Sequence, residues 1–95
     1  MQVNLDTLET VIGTIFAHMR EHGVEEVELD EDYYWHIPLE EKYDPYRQPT
    51  DLNLGQLSDD WRDIVNIAEN SDNILCVHLK DVSAILRYIG EKHPF

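Results

Sequence analysis

The chain is short of the residues that most often announce a function. A single cysteine, Cys76, leaves no means of forming an internal disulfide and suits a reducing compartment. The four glycines, Gly13, Gly23, Gly55 and Gly90, are widely scattered, so no glycine-rich loop is present to cradle a phosphate. Lysine and arginine are scarce, at 7 against 20 aspartates and glutamates, and the formal charge is −13. Binding to DNA, RNA or anionic lipid rests on cations that neutralise phosphates, so the expectation is no nucleic acid and no membrane. No apolar run approaches the roughly 20 residues needed to cross a bilayer. Met1-Gln2-Val3-Asn4-Leu5-Asp6 has neither the basic nor the apolar character of a leader, and the expected setting is cytoplasmic.

What is present is acid, unevenly placed. The net charge is −8 over residues 1–32, −4 over 33–60 and −1 over 61–95. Such a field attracts a basic partner and speeds the encounter, besides keeping a small protein dispersed. At 95 residues and 42% hydrophobic, the chain has material for one core.

Periodicity predicts a single α+β domain over 1–95, with three helices packed on a short two-stranded hairpin. Leu5, Leu8, Ile12, Ile15, Phe16 and Met19 recur at helical spacing and place a helix at about 4–22, capped by Asn4 or Asp6 and ended by Gly23. Alternation in Val27 and Leu29, then the aromatic run Tyr33-Tyr34-Trp35-His36-Ile37, predicts a hairpin over about 25–37 turning at Asp30-Glu31-Asp32. Pro38, Pro45 and Pro49 make 38–53 an irregular connection. Ser58 is placed to cap a helix over 58–69 with Trp61, Ile64, Val65 and Ala68 inward. A last helix over 73–89, ended by Gly90, is apolar on two sides. Its second stripe of Val77, Ala84 and Tyr88 suits a homodimer.

Few constellations carry chemistry. His18-Met19-Arg20-Glu21-His22 matches H-x-x-E-H, which would set two imidazoles on one helical face with Glu21 as base. No third ligand stands out, and His22 beside Gly23 is explained by the helix dipole, so His18 and His22 are the weakest of metal candidates. Counting an EF-hand loop from Asp30 puts Trp35 where glycine is needed and Lys42 where glutamate is needed. Cys76 and His78, two apart on a helix, point in different directions, and His78 suits a hydrogen-bonded place in the core. Neither catalysis nor a cofactor is expected.

The aromatics are more informative: Tyr33, Tyr34, Trp35, Tyr43, Tyr46 and Trp61 lie close together in the chain. Trp35, Ile37 and Trp61 are expected in the core. Tyr43 and Tyr46, on the proline-bounded connection, suit either the core edge or a partner contact. The segments Leu29-Asp30-Glu31-Asp32-Tyr33-Tyr34-Trp35 and Leu54-Gly55-Gln56-Leu57-Ser58-Asp59-Asp60-Trp61 resemble a small family of uncharacterised acidic bacterial proteins. That resemblance implies a bacterial cytoplasmic protein and brings no activity with it.

The leading expectation is a non-catalytic protein–protein interaction module, adaptor or immunity-like, that binds a basic protein through its N-terminal third. Glu21, Glu25, Glu26, Glu28, Asp30, Glu31 and Asp32, with Tyr43 and Tyr46, are the residues expected to make contact. The alternatives are a nucleic-acid mimic and a small metal-binding protein or hydrolase built on His18, Glu21 and His22.

Overall fold

The computed structural model describes residues 1–72 and 74–92. Four helices and a two-stranded antiparallel sheet form a small α+β fold, in the order α1 (Leu5–Glu21), β1 (Tyr33–His36), α2 (Leu39–Lys42), β2 (Asn53–Gln56), α3 (Leu57–Glu69) and α4 (Cys76–Lys92). No helix among the described residues is long and apolar enough to cross a membrane.

Helix α1 starts and stops where its sequence directs. Asn4 Oδ1 accepts from Thr7 N–H at 3.0 Å, which satisfies one orphan donor of the first turn. At the other end Gly23 takes φ +83°, the left-handed conformation that a side chain resists. Gly23 N–H then donates to Arg20 O and Val24 N–H to Met19 O, the paired bonds of a Schellman cap.

The sheet differs from the predicted hairpin. β1 pairs with β2, in the register Tyr33 with Gln56, Tyr34 with Gly55, Trp35 with Leu54 and His36 with Asn53. Residues 24–29 form no strand. The physical reason lies in Asp30-Glu31-Asp32, which lacks the glycine or asparagine of a tight hairpin turn and is claimed by helix ends instead. Asp30 N–H donates to Tyr88 Oη at 2.9 Å, and Lys92 pairs with the Asp30 carboxylate and donates to Glu28 O. These bonds tie the segment to the last turns of α4. Asp32 serves α3: its Oδ1 accepts from Ser58 N–H at 2.7 Å, and its Oδ2 accepts from Ser58 Oγ at 3.0 Å and Gln56 Nε2 at 2.8 Å.

Ser58 is therefore not the N-cap. It sits inside α3, and the capping acceptor arrives from 26 residues upstream. The Gln56 amide, ahead of the Ser58 N–H, holds the Asp32 carboxyl below its ordinary range. A carboxyl with a lowered folded pKa contributes stability above its unfolded value and loses it as pH falls through the folded one. Asp32→Ala should lower Tm by several degrees at neutral pH, and the gap to the wild type should close in acid. Thermal melts across that range check it.

Rather than being wholly irregular, the connection over 38–53 contains α2 and opens β2. Glu41 is its clamp, accepting from Thr50 Oγ1 at 2.5 Å and from Asp51 N–H at 3.0 Å. Those donors, the Thr50 hydroxyl first, hold the Glu41 carboxyl below its usual range. Helix α4 begins at Cys76; Asn73, predicted as its start, lies outside the described residues. His78 Nδ1 accepts from Leu75 N–H at 2.8 Å, returning the bond that His78 N–H gives Leu75 O. This reciprocal cap replaces the expected core role for His78. Gly90 does not stop the helix, which runs to Lys92 because Tyr88 and Lys92 anchor its last turns to residues 28–30.

Helices α3 and α4 pack side by side, and the buried core is small: Met19, Leu57 and Ile85. Trp35 and Trp61 were expected there, yet they remain 66% and 53% exposed. The strand face is inverted, because β1 pairs with β2 and turns Tyr34 inward while Tyr33 and Trp35 face out.

Candidate binding groove

The predicted stripe of α1 does not close on those of α3 and α4. Together the three line an open groove of about 670 Å³. Phe16 and Met19 of α1 form one wall. Trp61 and Ile64 of α3, with Val82, Ile85, Leu86 and Ile89 of α4, form the other. Val24, Val27 and Leu29 of the α1–β1 connection complete it, so the residues read as a strand supply a wall. Among the described residues, Arg20, Glu25 and Glu26 are the charged ones that border this apolar surface. A concave, largely apolar site with a few polar groups, of several hundred Å³, is the ordinary form of a ligand or peptide site.

The expected contact residues divide into two sets. Glu25 and Glu26 stand at the groove, and Glu21, Glu28 and Glu31 are exposed near it in sequence. Asp30 and Asp32 are engaged within the chain, Asp30 at the surface with Lys92 and Asp32 with the start of α3. Tyr43 and Tyr46 are exposed, Tyr46 at 96%, and neither lines the groove. An Asx turn, Tyr46 N–H to Asp44 Oδ1 at 3.1 Å, and the Arg47–Asp44 ion pair shape their loop. The proposed second stripe of α4 is not a continuous open face. Val77 is exposed, Ala84 is half-buried, and Tyr88 is spent on Asp30.

The His18 and His22 rings meet at a tilt of 47° with centroids 4.3 Å apart, and His22 Nδ1 lies 2.9 Å from His18 O at the end of α1. Among the described residues, no group of three or more His, Cys, Asp and Glu is placed to hold a metal ion. Cys76 is exposed.

One cluster was missed at the sequence level. Tyr34 Oη donates to Asp60 Oδ2 at 2.6 Å, and Asp60 lies beside Asp81. Burial, followed by the Asp60 charge, raises the Asp81 carboxyl above its ordinary range, and burial with the same Asp60 contact raises the Tyr34 phenol. The signal was present: Asp60 and Asp81 each stand four residues before an inward isoleucine, Ile64 and Ile85, on the same helical face. The cluster holds β1 against α3 and α4 from outside the groove walls.

Comparison with protein-family models, with curated proteins and with solved structures finds no match to this chain.

Proposed function

We propose that the chain is a non-catalytic binding module whose groove receives an amphipathic segment of a basic protein, in an adaptor or immunity-like role inside the cell. The observation that carries this reading is the apolar groove edged by Glu25 and Glu26 and continued by the acidic 21–31 segment. A helix laid in such a groove buries its apolar face, while lysines and arginines along its flank meet the carboxylates. The apolar contacts supply affinity, and the acidic rim supplies encounter rate and choice of partner. Exposed ion pairs are worth little singly, so the rim acts as a group.

Trp61, on the groove wall, is the reporter. With Trp35→Phe removing the second indole, the protein is titrated with an amphipathic helical peptide that repeats leucine at helical spacing between lysines. A matched peptide with glutamates for the lysines is the control. The expected result is a saturable blue shift of Trp61 with the lysine peptide, weakened by salt, and none with the glutamate peptide. Changing Glu25, Glu26 and Glu28 together to Gln should weaken binding by roughly tenfold. Equal binding of both peptides, or an unchanged Trp61 spectrum, would contradict the proposal.

A further inference from the structure

The stripe on α1 loses its cover toward the N-terminus. Met19 is 9% exposed and Ile12 is half-buried, whereas Leu8 and Ile15 are about half exposed and Leu5 is 76% exposed. Among the described residues, extensive helix–helix packing is between α3 and α4 and does not involve α1. Leu5, Leu8, Ile12, Ile15 and Met19 also follow the alternating three- and four-residue spacing of a two-stranded coiled-coil seam.

The exposed area states how much is missing. A folded chain of 11.2 kDa leaves about 5,700 Å² accessible, and this one leaves 8215 Å². Its radius of gyration is likewise 15.2 Å, against about 12 Å for a compact chain of this length. The excess of about 2,500 Å² is at the upper end of what each subunit of a permanent homodimer buries. That excess includes the open groove as well as the uncovered stripe of α1.

Charge selects the occupant and its direction. Although the whole molecule is strongly acidic, residues 10–17 of α1 carry no charge, so two copies can meet there without facing carboxylates. The first turn of α1 carries Asp6, with Glu9 following, whereas the last turn carries His18, Arg20 and Glu21, in which Arg20 and Glu21 offset one another. An antiparallel pair keeps the two acidic first turns apart, sets each beside the near-neutral last turn of the other and opposes the two helix dipoles. A parallel pair would place like ends together.

We infer that the chain is a homodimer in which α1 packs antiparallel on α1 of a second copy, with the two-fold axis close to Ile12. Two turns on either side of that axis are too short to hold as an isolated coiled coil, so the dimer depends on the folded body that anchors Met19. This contact uses the N-terminal part of the stripe and stands independently of whether the groove binds a basic segment.

Sedimentation equilibrium of the full chain tests it. The expected mass is twice 11.2 kDa, and Leu8→Glu should return it to the single-chain value. Because that variant could also unfold α1, a cross-linking pair accompanies it. In a Cys76→Ser background, Ile12→Cys should form an intermolecular disulfide under mild oxidation. Leu5→Cys should not, since the two copies of residue 5 lie roughly 20 Å apart along an antiparallel pair. A single-chain mass at all concentrations overturns the inference, as does a dimer unaffected by Leu8→Glu. Equal cross-linking at both positions overturns the antiparallel arrangement.

Discussion

Gly55→Ala is expected to destabilise the protein by roughly 2–4 kcal/mol, although it adds one methyl group to an exchange that elsewhere is mild. Gly55 stands opposite Tyr34 in the sheet, and the Tyr34 ring lies over it so closely that a β-carbon would overlap the ring. The ring must leave. With it go the burial of an aromatic side chain and a hydrogen bond to a charged acceptor, the 2.6 Å contact from Tyr34 Oη to Asp60. Tyr34→Ala alone loses the same interactions. The double variant should therefore be little less stable than Tyr34→Ala, a non-additivity that urea denaturation of the three variants measures directly. Additive losses would show that Gly55 acts through something other than room for the ring.

Asp81→Asn is expected to stabilise, by roughly 1–2 kcal/mol at pH 7, raising Tm by roughly 5–10 °C. Asp81 is 7% exposed, and its Oδ2 is buried without a hydrogen-bond partner among the described residues. Burial acts first, then the Asp60 charge, its hydrogen bond and the Asp63 charge; together they raise the folded pKa above the unfolded one, and His78 opposes them weakly. A carboxyl raised in this sense binds its proton more tightly when folded. Stability therefore increases as pH falls through the folded pKa, and the full penalty is present at neutral pH. Asparagine removes the second charge and brings an amide N–H that can donate to Asp60. In acid, where the wild-type carboxyl is protonated, the advantage should vanish. A loss of stability at pH 7 would mean that the Asp81 charge has a partner worth more than its desolvation costs.

How much of this was legible in the sequence depends on the range of the interaction. Helix α1 follows from its own residues: the stripe, the Asn4 cap and the Gly23 stop all act within a few positions, and each forms as read. Helix α3 is legible within a residue at its start, but its cap is not, because Asp32 reaches it from across the fold. The sheet was misread for the same reason. Local alternation in Val27 and Leu29 suggested a strand, while the partner of β1 lies some twenty residues further on and is selected by Gly55, the residue that admits Tyr34. Of the expected contact residues, Glu25 and Glu26 reach the groove because the connection that follows Gly23 forms its wall. Asp30 and Asp32 do not, since composition marks an acid without saying whether a helix end will claim it.

The proposed binding surface for a basic amphipathic segment is the groove between α1, residues 24–29, α3 and α4. Backbone amide chemical shifts of the 15N-labelled chain, followed as the lysine–leucine peptide is added, test it most directly. Perturbations should concentrate on Phe16, Met19, Glu25, Glu26, Trp61 and Ile85, along both walls and the acidic rim. Perturbations confined to the exposed acids at 28–31, with the groove residues unmoved, would contradict it.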